Sequence, residues 1–137
     1  MKRAAERVLC YGFRDTEKLN AVKAVMRGLG IECRTLPEES WCEKLGFLLG
    51  LRGFKPHTGI MEESFSFPEE VMVLHRIKGR RLDQVLAAMK TAGVPPIRYK
   101  AVVTPFNTLW TLRRLCETMR KEHQALAERE VSDGGQV

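Results

Sequence analysis

Short apolar runs and apolar helical stripes alternate along the chain in an order that occurs twice. Residues 8–11 and 71–74 are apolar runs of strand length, as expected of strands buried on both faces. Each run is followed by apolar residues at helical spacing, a glycine and a second strand-like segment. The helical stripes consist of Leu19, Val22 and Met26 in the first copy and of Leu82, Val85, Leu86 and Met89 in the second.

A shift of 63 residues aligns the two copies without a gap. The shift places Val22 on Val85 and Gly30 on Gly93. Each copy therefore predicts a strand, a helix and a strand. Two such units in tandem predict an α+β, ferredoxin-like βαββαβ fold, with an antiparallel four-stranded sheet and both helices on one face.

The segment between the two copies is much longer than a hairpin loop. Ser40 and Glu43 have the spacing of a capping box, which predicts a short apolar helix opening there. Residues 51–68 contain several glycines and prolines and predict a mobile loop. Because insertions of this length usually carry function or extra structure, we expect one or the other here.

After the second copy, Thr104 and Pro105 have the sequence of a helix start. The apolar stripe that follows must be buried on the open sheet face, on the other helices or on a second subunit. It comprises Leu109, Leu112, Leu115, Cys116, Met119, His123 and Leu126.

The pattern predicts one domain over residues 1–131. Its parts are a first half at 7–36, an insertion with a short helix at 37–69, a second half at 70–104, a C-terminal helix at 105–130 and a disordered tail at 132–137.

Composition agrees with a single globular domain of 137 residues, since 44% are hydrophobic and 29% are charged. No stretch approaches the roughly 20 apolar residues of a membrane span, and no export signal is evident. Cys10, Cys33, Cys42 and Cys116 show no close metal or redox spacing. We therefore expect a cytoplasmic protein with free thiols and no membrane contact.

Five pieces of sequence carry a family resemblance, which extends over roughly residues 8–123. Together they resemble a bacterial family catalogued as domain of unknown function 3783, which implies a self-contained domain and assigns no catalytic residue. The pieces are L-G-F-L-L-G at 45–50, Gly53-Phe54, Y-K-A-V-V-T-P-F-N at 99–107, Trp110 and Glu122-His123.

No catalytic constellation is evident. The sequence places none of His57, His75 and His123 beside a cysteine or a pair of carboxylates, and no helix carries two metal ligands four residues apart. We therefore predict no catalytic residue, no metal and no cofactor, and we favour a protein that is not an enzyme.

A basic cluster at the start of the second helix is the first candidate site. Arg76, Lys78, Arg80 and Arg81 crowd a helix N-terminus, where cations are mildly unfavourable. The cluster either binds a phosphate-bearing ligand or RNA, or is simply solvated. RNA binding is less favoured, because Tyr11 and Tyr99 are the only strand aromatics evident for base stacking.

The strand-to-helix corner at Thr104, Asn107 and Trp110 is the second candidate, together with His75 at the end of the third strand. These residues either bind a ligand or only cap and pack the corner.

The apolar stretch in the insertion is the third candidate. Leu45, Phe47, Leu48 and Leu49 either form an interface or cover the sheet.

The sequence as a whole favours a non-enzymatic binding, regulatory or protein-interaction module. Its expected partners are a second copy of the chain, another protein or a small anionic ligand. RNA or phosphate-ligand binding through residues 76–81 is the alternative, and an enzyme with an unrecognised site is the second alternative.

Overall fold

The computed structural model of the chain describes residues 5–59 and 64–134, with side chains as far as residue 125. Two 3₁₀ turns supplement its helices and strands, at Glu38–Cys42 and Asn107–Leu109. The regular elements are β1 (Arg7–Tyr11), α1 (Thr16–Gly28), β2 (Glu32–Thr35), α2 (Leu45–Leu48), β3 (Val71–His75), α3 (Arg80–Thr91), β4 (Tyr99–Val102) and α4 (Leu112–Gly134).

The four strands form one mixed sheet in the order β2-β1-β3-β4. β1 pairs in parallel with β2, and β3 pairs in parallel with β4. The two halves meet at an antiparallel β1–β3 pair, where Arg7 lies opposite His75. The expected antiparallel sheet is therefore wrong, and the ferredoxin-like topology is not confirmed. In a split arrangement another strand separates the two strands of each unit, whereas here they are direct neighbours.

The two halves are related by different offsets in their strands and their helices. Val8 and Cys10 face the same helices as Met72 and Leu74, which is an offset of 64. The buried helical positions Val22 and Val85 keep the offset of 63. Because strand side chains alternate between faces, the ungapped alignment places the strand residues on opposite faces of the sheet.

One face of the sheet is covered by α1 and α3, as the repeat predicts. The second face is covered by α2 and α4, so Leu112, Leu115 and Cys116 of the predicted stripe are buried on the open sheet face, whereas Leu109 and His123 are exposed. The first layer contains Val8, Cys10, Val22, Met26, Met72, Leu74, Val85 and Met89. The second contains Leu9, Tyr11, Leu45, Leu49, Val73, Tyr99, Leu112, Leu115 and Cys116.

The insertion forms a short helix, but not through the expected capping box. Ser40 lies inside the 3₁₀ turn, and α2 begins after Lys44, whose side chain makes no capping hydrogen bond. Glu43 instead accepts a hydrogen bond from the backbone N–H of His57, through its Oε1 at 2.5 Å. Glu43 thus holds the loop of residues 51–68 against the first part of the insertion. The described parts of that loop contain no helix or strand.

The C-terminal helix differs from the prediction at both ends. It begins at Leu112 rather than at residue 105, because a 3₁₀ turn and a bridge between Lys44 and Thr111 intervene. It continues to Gly134, so residues 132–134 of the expected disordered tail are helical. Residues 135–137 lie outside the described residues. In the described part of the chain no helix has both the length and the apolar character needed to cross a membrane.

Candidate functional site

A cavity of about 380 Å³ lies where the parallel strands β3 and β4 end. Carboxyl ends of parallel strands are the usual position of ligand sites in α/β sheets. The cavity brings together residues from two sites that the sequence predicts separately. Its lining, which we call the β3–β4 cavity, consists of His75, Arg76, Ile77, Lys78, Val102, Val103, Thr104, Pro105 and Thr108.

His75 is the last residue of β3 and is only 9% exposed. Its Nδ1 is buried and has no hydrogen-bond partner among the described residues. Burial lowers the pKa of the imidazole, and the positive charges of Arg76 and Arg7 lower it further. His75 is therefore neutral near pH 7. A buried nitrogen without a partner costs about 1–3 kcal/mol, and a ligand that satisfies it recovers that free energy.

Arg76 follows His75 in a left-handed backbone conformation, with φ of 61°. It is the only non-glycine residue with positive φ in the described part of the chain. At the strand offset of 64 its counterpart in the first half is Gly12, whose φ is 77°. A side chain in this conformation costs on the order of 1 kcal/mol. The second half thus has Arg76 at a left-handed position where the first half has Gly12, and glycine adopts this conformation without strain.

Arg76 lines two cavities, one together with Lys78 and one together with Arg81 and Glu6. Arg76 and Lys78 line the β3–β4 cavity, and no carboxylate lines it. Arg80 is exposed and lies outside the lining. Arg81 forms an ion pair with Glu6, at 2.8 Å between Nε and Oε2. The anion-site prediction therefore narrows to Arg76 and Lys78.

Arg81 is bound on several sides. Its Nη2 donates to Oε1 of Glu6 at 2.9 Å and to the carbonyl oxygen of Leu29 at 2.6 Å, and its Nη1 donates to Gln84. These bonds fasten the start of α3 to the residue before β1 and to the end of α1. Arg81 is thus held by contacts within the chain.

The corner after β4 is held by Asn107. Asn107 Oδ1 accepts from the backbone N–H of Thr104 at 2.7 Å, and its amide nitrogen donates to the carbonyl of Val102 at 3.1 Å. In return, Thr104 Oγ1 accepts from the N–H of Asn107 at 3.1 Å. Asn107 thus caps the corner and does not line the cavity, while Thr104 does both.

Trp110 also has a packing role. The guanidinium of Arg114 lies 4.4 Å from the centre of its ring, and its carbonyl accepts from the N–H of Leu45. Trp110 does not line the β3–β4 cavity. Of the four predicted ligand-binding residues, the structure brings His75 and Thr104 together and leaves Asn107 and Trp110 as structural supports.

The predicted interface residues divide between core and surface. Leu45 and Leu49 are fully buried against the sheet, so these two are not available to a partner. Phe47 and Leu48 are half-buried. Among the described residues, the large apolar side chains that are exposed are Phe106, at 79%, and Leu109, at 63%. Leu109 belongs to the stripe that the sequence predicts to be buried.

A second group of reactive side chains gathers where the loop after α2 folds back. Cys42, Glu43 and His57 line a cavity of about 520 Å³. Burial raises the pKa of Cys42, and the carboxylate of Glu43 raises it further. The thiol therefore stays protonated and is a poor nucleophile. The sequence does not reveal this group, because Glu43 and His57 are 14 positions apart and the segment between them gives no sign of its path.

Parallel pairing also brings two thiols together, since Cys10 on β1 and Cys33 on β2 have sulfurs 3.8 Å apart. The hydrogen bond between them and burial both raise the pKa of Cys10. Cys116, on the other face, has its pKa raised to about 12 by burial. The buried thiols of Cys10 and Cys116 act as small apolar groups. Within the described residues no three side chains are arranged to hold a metal ion.

A related cavity of about 320 Å³ lies at the carboxyl ends of β1 and β2. Tyr11 occupies the position that His75 has in the second half, and its hydroxyl donates to the carbonyl of Glu38 at 2.7 Å. The polar atom at this end of the sheet therefore has a partner within the chain. Aromatic rings of Phe13, Phe65 and Phe67 form much of the wall.

Comparison with known families bears on the second half. Residues 70–126 match one family model. The family is Domain of unknown function (DUF3783). The match confirms the resemblance seen in the sequence for this part of the chain. It contains every residue that lines the β3–β4 cavity, whereas the residues at the ends of β1 and β2 lie outside it. Neither a curated protein nor a solved structure gave a significant match.

Proposed function

We propose that the chain is a small non-enzymatic binding module that takes a small anionic ligand in the β3–β4 cavity. The observation that carries the proposal is the imidazole of His75, which is buried at this cavity with Nδ1 unpartnered among the described residues. Buried polar groups are nearly always hydrogen-bonded, so an unsatisfied one at a cavity marks a place for a ligand.

The positive charge of the β3–β4 cavity favours a negatively charged ligand. Arg76 and Lys78 line it, and no carboxylate in the lining balances them. Neither Arg76 nor Lys78 forms an ion pair with another described residue. A bound anion would supply the missing negative charge.

The lining supports binding rather than catalysis. His75 is its only side chain that titrates near neutral pH, and neither a carboxylate nor a thiol lies beside it in the lining. General acid–base catalysis needs two groups held close together, and nucleophilic catalysis needs a nucleophile with its base. RNA binding is not proposed, because Tyr11 and Tyr99 are buried beneath α4 and cannot stack on bases.

The test is a titration of ¹⁵N-labelled protein with acetate and with inorganic phosphate, followed by NMR. We expect saturable shifts in the amides of residues 74–78 and 102–108. The double variant Arg76→Gln/Lys78→Gln should bind either anion at least tenfold more weakly, while the matched variant Arg80→Gln should bind as the parent does. Shifts absent with both anions, or an equal loss in Arg80→Gln, would exclude this cavity as the site.

The predicted homodimer or protein partner concerns a different surface. The exposed side chains of Phe106 and Leu109 are the proposed contacts with a second copy or another protein, because large exposed apolar groups tend to mark interfaces. Light scattering of the parent protein and of Phe106→Ser/Leu109→Ser tests self-association. We expect a dimer that the double change dissociates, and a parent protein that stays monomeric would remove the homodimer.

A further inference from the structure

We infer that the ligand of the β3–β4 cavity is a small carboxylic acid with an apolar body, and not a phosphate. This inference rests on the proposed function and deepens it. It follows from the number of hydrogen-bond donors that the cavity has left to offer and from the apolar character of the remaining wall.

The cavity has few free donors. The backbone N–H of Thr104 is already bound to Asn107 Oδ1, whereas Thr104 Oγ1 accepts from the N–H of Asn107 and keeps its own O–H for a ligand. The hydroxyl of Thr108 donates to the carbonyl of Pro105 at 2.9 Å. The side-chain donors left for a ligand are therefore those of Arg76, of Lys78 and of the Thr104 hydroxyl, with the imidazole of His75 beside them.

Phosphate sites are built differently. They surround three or more acceptor oxygens with backbone N–H groups, usually at the start of a helix. Here the first turn of α3 begins at Arg80 and does not line the cavity. A carboxylate has only two oxygens, and the planar fork of an arginine matches both. The donors available suit a carboxylate better.

The rest of the wall is apolar. Ile77, Val102, Val103 and Pro105 supply it, and Ile77 is fully buried. A volume of about 380 Å³ is at the lower end of the range for small-molecule pockets. The cavity therefore accommodates a short apolar chain or a small ring attached to the carboxylate. Each methylene buried there should strengthen binding about fourfold.

His75 provides the third polar contact. His75 lines the cavity, and its Nδ1 has no partner among the described residues, so this nitrogen is left for a ligand. A neutral imidazole N–H would donate to one carboxylate oxygen. Because the bound negative charge favours the imidazolium, ligand binding should raise the pKa of His75.

The experiment is a calorimetric comparison of acetate, butyrate, hexanoate and inorganic phosphate on the full chain, with the His75 titration followed by NMR. We expect affinity to rise about fourfold per methylene until the cavity is filled, and hexanoate to bind more tightly than phosphate. We also expect the pKa of His75 to move upward with hexanoate bound.

Two variants separate charge from geometry. Arg76→Lys keeps the charge but loses the planar fork, so hexanoate binding should weaken at least threefold. Arg80→Gln should change neither. Equal affinities for acetate, butyrate and hexanoate, or tighter binding of phosphate than of hexanoate, would overturn this inference. Either result would leave the proposed anion site unaffected. If neither kind of anion binds, both fall.

Discussion

Arg7 on β1 lies opposite His75 on β3, in the antiparallel pair that joins the two halves. The guanidinium is fixed there, since its Nε donates to Glu32 at 2.8 Å and its Nη1 donates to the carbonyl of Leu49. Burial is the main cause that lowers the pKa of the imidazole, the charge of Arg76 adds to it, and the fixed charge of Arg7 adds a smaller part. Arg7, at the joint between the halves, thereby helps to keep His75 neutral.

The first prediction concerns stability and pH. The pKa of His75 is lowered in the folded protein from the ordinary 6.5. Below about pH 6.5 His75 therefore binds more protons in the unfolded chain than in the folded protein. The free energy of unfolding should for this reason fall as the pH is lowered. Urea denaturation at a series of pH values between 7.5 and about 5 measures this slope.

The matched variant for this prediction is His75→Gln, which keeps a polar side chain but cannot titrate. Its free energy of unfolding should depend less on pH than that of the parent over the same range. If the two slopes are equal, the histidine is not protonated differently in the two states, and its assigned neutral form is wrong.

The second prediction concerns the contact between Gly46 and Phe54. A Cβ built on Gly46 would lie 2.4 Å from the Phe54 ring, so Gly46→Ala must push the ring away. We expect a loss of roughly 1–3 kcal/mol in the free energy of unfolding. Gly28→Ala is the control, because nothing lies within 4 Å of its Cβ, and it should stabilise by about 0.5–1 kcal/mol.

Phe54→Ala in combination with Gly46→Ala completes this test. Once the ring is removed, the alanine should cost at least 1 kcal/mol less than it does in the parent. An unchanged cost in the double variant would mean that the glycine is needed for another reason.

The third prediction concerns the corner after β4. Asn107 is buried and makes hydrogen bonds to Thr104 and Val102. Asn107→Ala should lower the free energy of unfolding by roughly 1–3 kcal/mol, because two backbone groups lose their partners. Thr108→Ala loses one hydroxyl bond near solvent and should cost at most about 1 kcal/mol. Equal losses in thermal or urea denaturation would contradict the capping role of Asn107.

The fourth prediction separates two neighbouring arginines. Arg81→Gln breaks the ion pair with Glu6 and should lower the melting temperature. Arg80→Gln should leave it unchanged, because its exposed side chain makes no ion pair among the described residues. The difference should shrink in 1 M salt, since partly exposed ion pairs are screened. A larger loss for Arg80 than for Arg81 would reverse this assignment.

The local structure was predictable because each element carries its own pattern. Val22 with Met26, and Val85 with Met89, have helical spacing, and both helices bury these residues. The sheet order was not predictable in the same way, because tandem βαβ units have the same sequence pattern whether their strands are neighbours or are separated. The offset of Cys10 and Leu74 by 64 residues follows from the sheet alone.

The candidate site was half predictable. His75 and Thr104 are polar residues at strand ends, which is a signal in the sequence itself. That they share one cavity depends on β3 and β4 being parallel neighbours, which brings their carboxyl ends together. The ion pair of Arg81 with Glu6 spans 75 residues, and no local pattern indicates it.

The antiparallel joint between β1 and β3 has a geometric consequence for the duplicated halves. It directs the carboxyl ends of the two units toward opposite margins of the sheet, so Gly12 and Arg76 occupy equivalent turns at a distance from each other. Each margin can therefore acquire its own substitutions without disturbing the opposite one. In this chain the margin at β1 and β2 is lined by aromatic rings, and the hydroxyl of Tyr11 is hydrogen-bonded within the chain. The margin at β3 and β4 is basic, and Nδ1 of His75 has no hydrogen-bond partner among the described residues.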